Sequence, residues 1–470
     1  MKIVIVGGGI SGWLSALIFS YRHPNHEYVI IESSKVNTIG VGEGTTGLFS
    51  DVIDELPDLN LEEFLRETKA TPKIGIEFNN WSGKGSTFFN PIDGTPTTNN
   101  DFDSFLYYTY IQNTSLDTSS LHGLLKRECK FPYINNFSRL QDYNIALHLD
   151  NKLTIQYLKS KSLKRKNVKY ISDTVSEIKR DEIGRVEKII CSDHIIDGDI
   201  FIDCTGYSRI FSDESDWVSF KDNLPMNSVT TFTRKHSFSM VTKADKLNLG
   251  WCWQIPTQER IGCGYVSCDE WGNNVIDEIK SNYPDAEILK SFKFDSGKLK
   301  KSWNQNVISL GLAYHFLEPL QATNIHLTLV QIDILCQRCI RETKNRTLNP
   351  NVISIYNKHI DDLIEDFKNF INIHYSRDSR VTLTDYNKKI ISILKVRGLF
   401  YEDLPQLYGC SGVGLWGHTL LGLNHLTKQE CHNFLSEMNL YDEVKEISSE
   451  LQTTFTNTSF LSYKELIDIL

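Results

Sequence analysis

Gly7-x-Gly9-x-x-Gly12 lies between a short β-branched run, Lys2 to Val6, and a stretch of helical composition from Trp13 to Phe19. A strand that ends on consecutive glycines must turn sharply, and a helix that starts at once must approach that strand closely. Tyr28 to Ile31 reads as a second buried strand, so the opening is a strand-helix-strand unit with a parallel sheet. Glu32 closes this strand, twenty residues past Gly12. The first glycine permits the turn, the second lets the backbone approach a pyrophosphate, and the third lets helix and strand pack, with the helix N-terminus facing the phosphates. Glu32 would accept from ribose hydroxyls, which selects a nucleotide without a 2′-phosphate. With strand, helix and acid all in place, the chain is expected to bind a dinucleotide.

Further strands of the same parallel sheet are expected much later, at Val168 to Ile171 and Ile200 to Asp203, so the nucleotide-binding domain is discontinuous. Residues 82–140 are rich in Thr, Asn, Gly and aromatics, as expected of long loops and a cap, and Tyr143 to Lys161 carries helical spacing. From about 228 to 300, β-branched and aromatic runs alternate as a sheet platform would. From about 345 the pattern is mostly helical, broken near Gly409 to Gly417. The expected division is a nucleotide-binding domain from 1–90, 165–228 and 300–345, a cap or insert over 91–164, a platform over 229–299 and a helical substrate lobe over 346–470.

A net charge of −9 argues against a nucleic-acid or anionic-membrane partner, since both need a basic face. A small-molecule substrate is the natural alternative. The ten cysteines are scattered, and Cys336-x-x-Cys339 falls in the apolar run Leu327 to Ile340, where it reads as two helical packing positions. No metal is expected. The apolar run Ile3 to Val6 stops too early for a signal sequence or a membrane span, so a cytoplasmic location is expected.

Ile200-Phe201-Ile202-Asp203-Cys204-Thr205-Gly206 resembles the second flavin motif of hydroxylase-type FAD enzymes. There is no second glycine fingerprint for NAD(P)H, so a separate flavin reductase is implied. Trp251-Cys252-Trp253-Gln254-Ile255-Pro256 fits a Trp-x-Trp-x-Ile-Pro signature, and Gly40-Val41-Gly42-Glu43-Gly44-Thr45-Thr46 is similar to a strap beside an isoalloxazine ring, with Gly44 and Gly47 where Ala and Pro are usual. Ala70-Thr71-Pro72-Lys73-Ile74-Gly75-Ile76-x-Phe78-x-x-Trp81 resembles a stretch carrying an active-site lysine. Gly311-Leu312-Ala313 and Phe316 to Ile325 resemble a halide and catalytic segment. Together these segments resemble the flavin-dependent halogenases of the tryptophan-halogenase type, of which this would be a divergent viral or bacterial member of broad substrate range.

That resemblance implies an α/β fold, with a Rossmann-like FAD-binding domain of the hydroxylase type, a mixed-sheet platform and a helical substrate lobe. It implies FAD contacts from Gly7, Gly9, Ser11, Gly12, Glu32, Gly42, Gly44, Thr45, Val175, Asp203, Gly206, Leu312 and Ile325. Reduced FAD, O2 and halide would yield hypohalous acid, with halide held by backbone N–H groups at Thr323 and Asn324. Asn324 stands where glycine is usual, a change that positive φ at asparagine would tolerate. Trp251 and Trp253 would form a barrier that hinders the organic substrate from reaching the flavin, and Lys73 would guide the electrophile to an aromatic carbon.

The main departure is Gln321, which occupies the place of the family's catalytic glutamate and cannot take a proton. Glu318 matches a position already acidic in relatives and is not assigned that role. Asn90, in Phe88-Phe89-Asn90-Pro91, replaces a usual histidine, and His374-Tyr375 to Tyr386 lacks the usual Phe-Trp. Both point to an indole- or phenol-like substrate other than free tryptophan. The alternatives are a flavin-dependent aromatic hydroxylase and a non-catalytic FAD-binding relative.

Overall fold

A computed structural model describes residues 1–36, 42–96, 103–132, 144–404 and 413–462, with 465, 466 and 468. Gly40 and Val41 of the strap, and much of the break near 409–417, lie outside the described residues. Strands Lys2–Val6 and Glu27–Glu32 pair in parallel around the helix Ile10–Arg22. The full six-stranded sheet runs 303–304, 307–309, 200–203, 2–6, 27–32, 168–172, parallel except for the 303–309 hairpin. One face packs Ile3, Ile5, Tyr28, Ile30, Ile200 and Ile202 against the helices. The other packs Val4, Val6, Val29, Ile31 and Phe201 against Val186, Ile189 and Ile196 of a small meander. Burial on both faces explains why these strands read as unbroken apolar runs.

The platform is a seven-stranded mixed sheet in the order 287–293, 228–234, 261–267, 250–256, 241–246, 75–79, 87–91. Its 241–246 strand runs parallel to Gly75–Asn79, and the other neighbours are antiparallel. Residues 75–90, which the sequence division placed in the nucleotide-binding domain, and Pro91, placed in the cap, therefore complete the platform edge. The helical spacing of 143–161 also resolves differently: Ala146–Leu149 is a strand, and the helix is Asn151–Ser162, begun by Asp150, whose carboxylate accepts from Leu153 N at 3.1 Å. That helix packs on Ile10–Arg22. Within 82–140, expected to hold long loops and a cap, the helices Ser104–Gln112 and Leu121–Glu128 are formed.

A third, three-stranded sheet orders Glu43–Gly44, Ala146–Leu149 and Thr71–Lys73. The helical lobe carries Pro350–His374, Asp385–Arg397, Val413–Gly422, Lys428–Glu437 and Tyr441–Asn457. It has its own core, in which Phe105, Leu106, Phe370, Trp416, Leu420 and Leu435 meet. No helix among the described residues is long and apolar enough to cross a membrane. Cys336 and Cys339 are buried in the π-helical turn that ends the 323–339 helical run, and no metal-binding cluster exists among the described residues.

Because Trp416 is fully buried in the lobe's separate core, Trp416→Ala should cost about 3–5 kcal/mol. The loss should be local: limited proteolysis should cut within the lobe before the parallel-sheet half, and simultaneous cleavage of both would contradict this.

Candidate active site

The glycine turn shows which of its positions face protein and which face a ligand. A Cβ at Gly12 would lie 1.9 Å from the Gly7 carbonyl oxygen, and one at Gly7, whose φ is +121°, would lie 2.2 Å from that of Cys204. A Cβ at Gly9 would meet nothing within 4 Å. The open side is a cavity of about 370 Å³ lined by Gly7, Gly9, Ser11, Glu32, Val175, Gly206, Leu312 and Ile325, among others. Asp203 lies buried beside it. Its Oδ1 accepts from Thr205 N at 2.9 Å and Thr205 Oγ1 at 2.6 Å, while Oδ2 has no hydrogen-bond partner among the described residues. Such an orphan calls for a ligand hydroxyl. Glu32 receives Lys159 Nζ at 2.5 Å at the cavity's edge. An open glycine cradle, an orphaned carboxylate oxygen and an acid at the second strand's end together fit FAD.

A smaller cavity of about 140 Å³ adjoins the first, sharing Glu43, Asn151, Tyr207, Leu312 and Asn324. Its wall brings together Gly42, Gly44, Lys73, Trp251, Trp253 and Gln321. Lys73 is 1 % exposed, and its ammonium donates to the Thr45 carbonyl at 2.8 Å. The central strand of the three-stranded sheet makes this possible by pairing with both segments: Lys73 lies opposite Ala146, and Gly44 opposite His148. A Cβ at Gly44 would approach Lys73 Nζ to 3.1 Å, and one at Gly47 would fall 2.1 Å from Asn144 Oδ1, so a larger residue at either place would displace the end of a neighbouring side chain. His148 accepts or shares hydrogen bonds with Thr71 and Thr242 at 3.2 and 2.9 Å. Burial and the Lys73 charge hold it far below the usual histidine range, hence neutral.

Trp251 and Trp253 project from the same face of their strand, with ring centroids 6.1 Å apart. Gly264 on the neighbouring strand gives Trp253 its place, because a Cβ there would lie 2.0 Å from the ring. Thr323 and Asn324 open the helix Thr323–Ile334, whose first-turn N–H groups are unsatisfied by the helix itself. The left-handed backbone lies at Gln321 and Ala322, with φ of 63° and 57°. This corrects the expectation for Asn324: it is helical and needs no positive φ, so the turn that exposes the N–H groups is made two residues earlier. Asn324 lines both cavities, whereas Thr323 is buried outside their lining.

Asn90 is brought to neither cavity. It is buried against the helical lobe, where its Nδ2 donates to Thr419 Oγ1 at 3.0 Å. Glu318 also lies outside both linings, taking the Tyr375 hydroxyl, with burial pushing its carboxyl up to about 7. Four residues escaped the sequence reading. Glu43, at the junction of the cavities, accepts from Asn151 Nδ2 at 3.2 Å, and burial pushes it up to about 7. It lay inside the strap segment, where attention went to the glycines. Asn151 and Tyr207 belong to no motif. His374 approaches Gln321 at 3.1 Å and was quoted only for the residues that follow it.

The profile of the tryptophan halogenase family matches residues 2–389. The chain belongs to this family. Members are flavin-dependent halogenases that use reduced FAD, halide and O2 on an aromatic substrate, with the flavin reduced by a separate enzyme. Tryptophan 6-halogenase SttH of Streptomyces toxytricini is 28% identical over 415 residues, covering 80% of this chain and 78% of the relative. Tryptophan 7-halogenase RebH of Lentzea aerocolonigenes is 24% identical, covering 80% and 76%. Among solved structures, the tryptophan C-6 halogenase Tar14 superimposes with a TM-score of 0.85 at 20% identity, covering 100% of this chain and 99% of that one. BrvH from Brevundimonas sp. BAL3 gives 0.79 at 22%, covering 99% and 98%. The family match removes the aromatic-hydroxylase alternative.

Two glycine substitutions should separate ligand from packing. Gly9→Val should leave the melting temperature of the FAD-free protein nearly unchanged while weakening FAD binding about tenfold or more, a change of about 1.4 kcal/mol. Gly12→Ala should lower the melting temperature itself. Equal destabilisation by both would show that the Gly9 side of the turn is not the cofactor's.

Proposed function

We propose that this halogenase takes reduced FAD from a separate reductase in the cytoplasm and uses Lys73 to direct hypohalous acid onto an indole- or phenol-like substrate other than free tryptophan. The observation that carries this is the buried Lys73 ammonium in the wall of a chamber adjoining the glycine-lined cavity, alongside Trp251, Trp253 and Gln321. With FAD bound, two electrons from the reduced cofactor and two from halide reduce O2, giving hypohalous acid and water.

The first-turn N–H groups at Thr323 and Asn324 hold the halide, where helix dipole and unsatisfied donors favour an anion. Gly7, Gly9, Ser11, Glu32, Val175, Asp203, Gly206, Leu312 and Ile325 bind the cofactor, with Gly12 packing the helix closely onto its strand and Gly42, Gly44 and Thr45 as the strap. Trp251 and Trp253 keep bulky substrate and excess water from the flavin side. Lys73, anchored on the Thr45 carbonyl, points a remaining N–H at the oxygen of hypohalous acid and so orients the halogen. The step is ArH + HOX → ArX + H2O. A C–H bond is replaced by C–X, and the proton lent by Lys73 to the departing oxygen is balanced by the one the arene returns. Gln321 takes no proton, and none is required of it, since rearomatisation drives loss of the arene proton. It serves by its amide.

Lys73→Ala should lower arene halogenation by about 10²-fold or more while reoxidation of reduced FAD stays within about twofold, because the lysine acts after oxygen and halide have reacted. Loss of FAD binding, or undiminished product, would place Lys73 in a structural role. With FAD, a flavin reductase and NADH, a panel of indoles, phenols and tryptophan under chloride, bromide and iodide should give halogenated products, with bromide and iodide ahead of chloride. NADH oxidation should require the added reductase. Turnover of tryptophan alone would refute the substrate assignment, and absence of any halogenated product would favour a non-catalytic relative.

A further inference from the structure

We propose that His374 is a positioning residue that fixes the Gln321 amide, with the amide NH2 on the imidazole and the carbonyl oxygen turned toward the Lys73 chamber; this rests on the reading of Lys73 and Gln321 as halogenating residues. His374 is the last residue of the helix Pro350–His374 and is 1 % exposed. Its Nδ1 lies 2.8 Å from the Phe370 carbonyl oxygen. A carbonyl only accepts, so Nδ1 carries the proton. The ring packs among Phe78, Trp81 and Phe370, with centroid separations of 5.1, 6.0 and 5.1 Å. Burial there holds its pKa down to about 4, with no charged side chain contributing.

A neutral imidazole protonated at Nδ1 presents a lone pair at Nε2. Gln321 Nε2 sits 3.1 Å from that atom and must be the donor. The two ends of a glutamine amide are thereby told apart by chemistry: NH2 on His374, oxygen away from it. The backbone of Gln321 reaches this pose through the left-handed conformation that also opens the halide-binding helix. The charged groups on neighbouring elements are engaged elsewhere. Glu318 takes the Tyr375 hydroxyl, and Lys246 pairs with Asp378 at 2.8 Å while lying over the Trp81 and Tyr375 rings.

A glutamate at 321 would set a carboxylate oxygen against the imidazole lone pair, two acceptors with no proton between them. It would be accommodated only by adding a proton to the pair. Glutamine matches the neutral His374 as it stands, so the exchange of acid for amide in this chain preserves a defined contact and keeps a carbonyl acceptor available to the Lys73 ammonium. Gln321 and His374 act as a donor-acceptor pair whose polarity is set by the Phe370 carbonyl.

The test is 15N NMR of the full chain labelled at histidine, with the His374 signals assigned by their loss in His374→Gln. The expected wild-type pattern is a neutral imidazole protonated at Nδ1 at neutral pH. Gln321→Glu should bring a second ring proton onto His374 at the same pH, and Gln321→Leu should shift the Nε2 resonance to that of a lone pair without a donor. A wild-type Nε2–H tautomer, or a His374 spectrum unchanged in both Gln321 variants, would overturn the proposal. A second arm measures halogenation of supplied indole per FAD oxidised. Gln321→Glu should lower it about tenfold, as should His374→Leu, which removes the acceptor, and adding His374→Gln to Gln321→Glu should recover most of the loss, because an amide at 374 can donate to a carboxylate at 321. Strictly additive losses would reduce His374 to packing. If wild type itself halogenates nothing, the functional reading fails while the NMR result still decides the His374–Gln321 contact.

Discussion

Backbone pairing of Ala146–Leu149 with Glu43–Gly44 on one edge and Thr71–Lys73 on the other sets the distance between the strap and the lysine. Thr45 is locked to the same strand: its N–H donates to the Leu147 carbonyl at 2.8 Å, and its Oγ1 accepts from Leu147 N at 2.8 Å. Only because Thr45 is held so firmly can its carbonyl serve as a fixed acceptor for a buried ammonium. An ammonium taken out of water carries a large desolvation cost, and a preorganised carbonyl dipole offsets part of it. Burial, with the same charge beside it, keeps His148 neutral. The strand thus organises strap, lysine and their polar support in one short sheet.

Parts of this were legible in the sequence because their conditions are local. The glycine fingerprint needs only a strand before it, a helix after it and an acid at the next strand's end, and all three lie within 32 residues. The tryptophan pair alternates along one strand, so its shared face follows from period two. What failed to show is what depends on distant pairing. Gly75–Asn79 and its hairpin partner Thr87–Pro91 join a sheet whose five other strands lie more than 130 residues on, at 228–293. Ala146–Leu149 is four residues long and runs directly into a helix, which hides its period.

Side-chain partnerships were the least legible. Nothing in the sequence joins Gln321 to His374 across 53 positions. Asn90 shows another such partnership: nothing in the sequence joins it to Thr419, to whose Oγ1 its Nδ2 donates. The left-handed turn was expected at Asn324, the residue that departs from glycine, yet Gln321 and Ala322 carry it. Identity at one position says little about which neighbour absorbs the strain when the surrounding helix dictates the turn.

The lobe's separate core has a consequence for how such an enzyme diversifies. Substitutions in two cores that share few contacts combine additively, so a lineage can exchange residues around Trp416 or Leu420 without first repaying the energetic debt in the cofactor half. The helix Pro350–His374 is the beam common to both, with Ile360, Leu363 and Phe367 in one core and Phe370 and Ile373 in the other. Drift in the lobe is therefore cheap where it leaves this beam alone, and constrained where it moves the beam's last turn. Two halves of one chain can evolve at different rates, with that helix setting the boundary between them.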